Sequence, residues 1–374
     1  MRIGTPREEG PGESRVALTP DGAKALVAKG LEVVIESGAG AAAFFQDADY
    51  EAAGAKIGDP WAAGAVVAIL PPEDTRAAAV VSRARPESAL IAFPNPWANQ
   101  ATLRALCERR ITSVAMELIP RISRAQSMDA LSAMSSIAGY RAALLAAEHL
   151  PKFFPMLMTA AGTIPPAKVF VIGAGVAGLQ AIAFCRRLGA TVEAFDVRPV
   201  VKEQVESLGA RFVSMKLTAE EAEDASGYAK EVSTDTHLRE LELIRERVAK
   251  TDAVITTAMV PGKRAPVLIT RDTLRAMRPG SVVVDLAAPA GGNCESAVPG
   301  KTVVVEGVTV CAPLGLPSTL PVHASQMLSR NMVELLGLMV KDGALDFSDE
   351  IVRAAMLTRA GEVVHASVRA MTEA

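Results

Sequence analysis

The chain has 374 residues, room for two domains at roughly 100 to 200 residues each. Half of its residues are hydrophobic and only 4% are aromatic, a composition that excludes a disordered chain and suits parallel strands covered on both faces by tightly packed helices. Lys and Arg number 39 against 42 Asp and Glu, a formal charge of -3 with no long block of one sign, so a nucleic-acid partner has no electrostatic support.

Residues 1–10 form a charged strand-and-turn pattern rather than a basic segment followed by an apolar one, so no signal peptide is expected. Apolar runs at 31–36, 65–70, 89–93 and 111–116 predict strands, with helices such as 21–29 and 99–108 between them. This alternation predicts an open parallel sheet, but none of its strand-to-helix turns carries a glycine phosphate-binding pattern. A long Ala-rich helix follows over 130–149, and Pro151, Pro155, Pro165 and Pro166 then punctuate an irregular stretch.

A second alternation begins at Lys168: strand 169–172, helix 175–188, strand 191–196, helix 202–208 and strand 211–213. A helix at 238–250 and strands at 253–256, 281–285 and 308–311 extend it. The helix predicted over 321–339 leads back to the first domain, where 350–374 is expected to pack as an appendix. The expected class is α/β, with two Rossmann-like doubly wound parallel-sheet domains, 1–130 plus 321–374 and 131–320. Two long helices would join them around a cofactor cleft. The most apolar stretch, 169–185, contains three glycines and Gln180 and falls short of the ~20 residues that cross a bilayer, so no membrane span is expected.

Chemistry concentrates in Gly173-Ala174-Gly175-Val176-Ala177-Gly178, a Gly-x-Gly-x-x-Gly run that follows a strand and opens a helix. Gly173 permits the tight turn, Gly175 lets the backbone approach a pyrophosphate, and Gly178 lets the helix pack on the strand. The next strand ends at Asp196, 18 residues beyond Gly178, where a carboxylate can accept both adenosine ribose hydroxyls and repel a 2′-phosphate. NAD(H) is therefore the expected cofactor, with Arg198, two residues on, able to soften the selection against NADP(H). Cys107, Cys185, Cys294 and Cys311, like His149, His237, His323 and His365, lie far apart, so reduced thiols in a cytoplasmic protein and no metal site are expected.

Three marks resemble alanine dehydrogenases and transhydrogenase NAD(H)-binding subunits alike: Gly4-Thr5-Pro6-Arg7-Glu8 with 13–20, the 173–178 turn, and Asp285 through Gly291-Gly292. The transhydrogenase family is resembled more specifically by Asp196-Val197-Arg198-Pro199, by Gly227-Tyr228-Ala229-Lys230-Glu231, and by Thr256-Thr257-Ala258-Met259-Val260-Pro261-Gly262-Lys263. The similarity covers nearly the whole chain. Within 120–129, Arg121, Gln126 and Asp129 match the loop that in this family reaches toward the nicotinamide, and the resemblance implies that Gln126 aligns the ring while Arg121 and Asp129 fix the loop. Asp129 also reads as a helix N-cap.

The cofactor-contacting set so implied is Gly173, Gly175, Val176, Gly178, Asp196, Val197, Arg198, Gly227, Tyr228, Thr257, Ala258, Met259 and Ser132, with Gly227 and Tyr228 in a loop that closes over NAD(H). Alanine dehydrogenases need a lysine and a histidine in the first domain, but the matching stretches here read Leu70-Pro71-Pro72-Glu73 and Ala92-Phe93-Pro94-Asn95, and Pro289 stands where the family's catalytic aspartate falls. Direct hydride transfer between two nicotinamides needs no acid or base, only two C4 atoms roughly 3 to 3.5 Å apart in a dry junction.

The resemblance thus implies the NAD(H)-binding component of a proton-translocating transhydrogenase. It would be a homodimer at the cytoplasmic side of an inner membrane, meeting separate membrane-spanning and NADP(H)-binding subunits. The competing readings are a stand-alone alanine dehydrogenase using Arg15 to hold a carboxylate, and a non-catalytic NAD-binding module.

Overall fold

The computed structural model describes residues 1–215, 234–259 and 263–372. Gly227 and Tyr228 of the expected cofactor set, and 260–262 of the transhydrogenase-like signature, lie outside the described residues. The chain divides into two compact units, Met1–Met134 with Pro317–Ala374, and Ser135–Leu316. Both are α/β, built on a largely parallel sheet.

The first unit opens with β1 (Arg2–Thr5), α1 (Pro20–Ala28), β2 (Glu32–Ile35), α2 (Asp47–Ala52), β3 (Lys56–Ile57) and β4 (Ala65–Val67). It continues through α3 (Asp74–Val81), β5 (Ala89–Ala92), α4 (Gln100–Glu108) and β6 (Thr112–Ala115). β4 and β5 are buried at every position, which is why they read as continuous apolar runs instead of alternating ones. Thr19 caps α1 by accepting the Gly22 N–H, and Pro20 supplies the preset first turn. α3 gave little sequence signal because its buried face is only Ala77, Val80 and Val81. Its first residue, Asp74, accepts the Ala101 and Thr102 N–H groups at 2.8 Å and so caps α4.

The expected strand 65–70 stops at Val67. Beyond it the Ile69 and Leu70 N–H groups turn onto the Glu8 carboxylate at 2.7 and 3.1 Å, and Leu70 adopts a positive φ of 73°. A residue in that conformation cannot continue a strand.

α5 (Ala130–His149) crosses the boundary between the units. Among the described residues it is the one helix long and apolar enough to cross a membrane, but Ala142, Ala143 and Ala146 are fully buried in the core of the second unit. A Cβ on Gly139 would stand 2.1 Å from the Ala177 carbonyl oxygen, so this mid-helix glycine is required by packing. The Pro-punctuated stretch is not wholly irregular: it holds an antiparallel hairpin, β7 (Leu157–Thr159) and β8 (Gly162–Ile164).

The second unit continues with β9 (Lys168–Ile172), α6 (Val176–Arg187), β10 (Thr191–Phe195), α7 (Lys202–Ser207), β11 (Arg211–Val213), β12 (Ala253–Thr256), β13 (Val282–Asp285), β14 (Thr302–Val305) and β15 (Val308–Cys311). Its seven-stranded sheet runs β11-β10-β9-β12-β13-β15-β14, parallel except for the edge strand β14, which is absent from the strands expected above. The helix Pro321–Met339 returns to the first unit, with Met332 and Met339 fully buried as packing residues. It is also fixed by hydrogen bonds from Val16 N to Ser325 Oγ and from Thr19 N to Ser329 Oγ.

The C-terminal segment does more than pack on the surface. After the two short strands β16 (Val340–Lys341) and β17 (Ala344–Leu345), the strand β18 (Met356–Arg359) joins β6 antiparallel, and β19 (Glu362–Val363) follows it. The eight strands of that sheet run β19-β18-β6-β5-β4-β1-β2-β3. Each unit therefore has its topological switch point beside its first strand, between β1 and β4 and between β9 and β12.

Candidate functional site

At the second unit's switch point the three motif glycines have different causes. Gly173 has φ 92°, and a Cβ there would lie 2.5 Å from Thr257 Oγ1. A Cβ on Gly178 would sit 1.9 Å from the Gly173 carbonyl oxygen, so α6 packs directly on the turn. Gly175 has φ -72° and nothing within 4 Å of its would-be Cβ, a combination found at no other described glycine.

Neither backbone conformation nor protein packing demands a glycine at 175. The open space lies at the N-terminus of α6, where Gly175 is the cap residue and brings no side chain to the first N–H groups. Unpaired N–H groups at the positive end of a helix dipole, with room for backbone approach, are what a pyrophosphate requires. The residues present fit a dinucleotide.

Around this cradle the loops are braced. Asp196 is buried at the end of β10 and accepts the Ala174 N–H at 2.7 Å, which ties the second strand to the glycine turn. Its remaining acceptor positions go to Arg198: backbone N and Nε onto Oδ1, each at 2.9 Å, and Nη2 onto Oδ2 at 2.8 Å. Thr257 donates its hydroxyl to the Gly173 carbonyl at 3.0 Å, closing the switch point from the β12 side. Val176 and Met259 are exposed, and Val197 is half-buried.

Asn293 was not anticipated from the sequence. It is fully buried, accepts the Ala258 N–H, and donates to the Ala258 and Pro266 carbonyls at 2.8 Å, holding the loop after β12 from both sides. The Gly291-Gly292 pair before it was the available signal. Asp285, also fully buried, accepts from Thr256 Oγ1, Ala287 N and Cys294 N, and loss of water pushes its carboxyl up. It shapes a loop and is shielded from any ligand.

The remaining candidates belong to the first unit. Arg121 and Gln126 are exposed in and beside the short helical segment Ser123–Met128. Asp129 caps α5: it accepts Ser132 N at 2.9 Å and the Ser132 hydroxyl at 2.6 Å, so the N-cap reading of Asp129 holds and Ser132 is engaged by it. Arg124 anchors the same segment through a two-pronged pair with Asp349.

The first unit's own switch point is built differently. Glu8 spans it from the loop after β1 to the two N–H groups after β4. Loss of water around that carboxyl, reinforced by the nearby Glu13 charge, pushes it up to about 8. Glu117, at the end of β6, accepts Asn95 N at 2.6 Å and is pushed up to about 7 by burial, with Oε2 buried and unpaired. Arg15 is held by Glu13 through two bonds, Nε at 2.7 Å and Nη2 at 2.5 Å, and Ser318 fixes Glu13 in turn. An outside carboxylate would have to displace Glu13 to reach that guanidinium.

Family comparison agrees with this architecture. The alanine dehydrogenase/PNT N-terminal domain matches residues 4–138, and the alanine dehydrogenase/PNT C-terminal domain matches 142–366. A transhydrogenase polypeptide of Rhodospirillum rubrum, the first piece of a divided NAD(P) transhydrogenase subunit alpha, is 45% identical over 379 residues, covering 98% of both chains. Among solved structures, a transhydrogenase from Sinorhizobium meliloti superposes with TM-score 0.87 and 42% identity, over 97% of this chain and 100% of that one. An L-alanine dehydrogenase superposes with TM-score 0.82 and 26% identity, over 100% and 99%.

Proposed function

The chain belongs to the alanine dehydrogenase/PNT family, and we propose that within it this protein is the NAD(H)-binding component of a proton-translocating transhydrogenase, exchanging hydride directly between NADH and NADP+ held on a partner subunit. The observation that carries the reading is the glycine cradle. Gly175 leaves open space at a helix N-terminus, beside the carboxylate of Asp196, at the switch point of a Rossmann sheet. The relatives named as transhydrogenase alpha subunits support the rest.

Gly173, Gly175 and the N-terminus of α6, with Val176 and Gly178, receive the pyrophosphate. Asp196, with Val197 and Arg198 beside it, takes the adenosine ribose. Thr257, Ala258 and Met259 line the approach from β12. Bound NADH supplies the hydride and needs no proton from the protein.

What the chain contributes is position. Gln126 aligns the reacting ring, while Asp129, by locking Ser132 and the start of α5, fixes the segment that carries Gln126 and Arg121. Amino-acid chemistry is disfavoured because Glu13 already fills Arg15 and neither lysine nor histidine stands at the loops after β4 and β5. The partners are NADP(H)-binding and membrane-spanning subunits, the assembly contains a homodimer of this chain, and it sits at the cytoplasmic side of the inner membrane.

The test mixes the purified chain and NADH with the NADP+-loaded partner component, and separately with alanine and NAD+. Hydride appearing in NADPH only when both proteins are present supports the reading. NADH formed from alanine by the chain alone would overturn it.

A further inference from the structure

We propose that Arg198 is an internal gate on the ribose subsite, competing for the Asp196 carboxylate and thereby setting discrimination between NADH and NADPH. The inference rests on the cofactor reading above and adds a specificity determinant to it. A carboxylate offers about four lone-pair positions, and all four on Asp196 are taken. Oδ1 accepts Arg198 N and Arg198 Nε, while Oδ2 accepts Ala174 N and Arg198 Nη2, at 2.7 to 2.9 Å.

Two of these donors are backbone N–H groups that shape the turn and belong to the resting fold. The other two come from the guanidinium, which is largely buried along with its partner: the Arg198 side chain is 15% exposed and the Asp196 side chain 5%. A ribose diol can take its two hydrogen bonds from Asp196 only at the positions the guanidinium fills. Binding of the ribose and release of the guanidinium are therefore one event.

Two consequences follow for selectivity. With the guanidinium in place, the charge of Asp196 is offset, so its repulsion of a 2′-phosphate is muted. Once displaced, the guanidinium remains tethered two residues away, and its fork matches a phosphate far better than a hydroxyl. Arg198 thus costs NADH the displacement of a bidentate pair while giving NADPH a compensating partner.

The experiment measures dissociation constants of NADH and NADPH, by dinucleotide fluorescence, for the wild-type chain, Arg198→Ala and Arg198→Lys. Arg198→Ala is expected to tighten NADH and weaken NADPH, widening the ratio of the two constants by about tenfold, the size of one charge-assisted hydrogen bond. Arg198→Lys, which keeps the charge but loses the fork, is expected to fall between. General damage to the loop would weaken both ligands together. If the wild type binds NADH but Arg198→Ala leaves the ratio unchanged, or moves both constants the same way, the gate is overturned and the cofactor reading stands. If the wild type binds neither dinucleotide, both are overturned.

Discussion

The two units carry nearly the same sheet order around the first strand, β3-β2-β1-β4-β5 in one and β11-β10-β9-β12-β13 in the other, but they treat the switch point in opposite ways. In the second unit a glycine with no neighbours opens the crevice at a helix N-terminus. In the first, the Glu8 carboxylate reaches across the equivalent place and takes the N–H groups of Ile69 and Leu70, the kind of donors an anionic ligand would use. Topology thus makes a place where a ligand can bind, and side chains decide whether it stays open.

The glycines offer the most forceful way to break this comparison. Gly175→Val should reduce NADH affinity by more than about a hundredfold while leaving the melting temperature almost unchanged, because the new side chain meets no protein atoms. Gly4→Val should do the reverse. Its Cβ would lie 2.1 Å from the Pro60 carbonyl oxygen, so loss of stability by about 3 kcal/mol or more is expected, read by denaturant unfolding. Equal effects of the two substitutions on binding would erase the distinction between an open and a closed crevice.

Gln126→Asn separates the units by kinetics. Shortening an exposed side chain of the first unit should leave the NADH dissociation constant within about twofold while slowing single-turnover hydride transfer by up to about a hundredfold, the effect of misplacing a reacting group by about 1 Å. Unchanged transfer would remove Gln126 from the site. Asp196→Asn should weaken NADH by about tenfold, since an amide retains a single acceptor oxygen, and titration by fluorescence checks it.

The smallest effect concerns pH. Glu8 is pushed from 4.5 up to about 8 and Glu117 up to about 7, so between those values and 4.5 the folded state holds protons that the unfolded chain has released. Stability must then fall as pH rises from about 5 to 9. Glu8→Gln should flatten that slope in urea melts recorded across the range. A stability that climbs with pH over this interval would contradict the burial of these carboxyls.

Much of the fold was legible because buried parallel strands and long helices leave strong patterns. The bounds of α5, of β11, β12 and β15, and of the helix Pro321–Met339 coincide with the expected ranges. What escaped had weak or non-local causes. α3 buries only three small or branched side chains, β14 is an edge strand whose positions are exposed or half-buried, and β18 is defined by pairing with β6, some 240 positions earlier in the chain.

The candidate site divides in the same way. The glycine turn and Asp196 were readable because spacing encodes them. The use of Asn293 to brace Ala258, the Arg198 fork on Asp196 and the Glu8 plug depend on side chains meeting across loops, and no local pattern announces them.

Isotope tracing tests the central claim most directly. NADH carrying deuterium at both C4 positions is mixed with this chain and the NADP+-loaded partner component, and the product NADPH and the solvent are analysed by mass spectrometry and NMR. Direct transfer predicts one deuterium in every NADPH formed and none in water. Deuterium released to solvent, or NADPH formed without label, would contradict it.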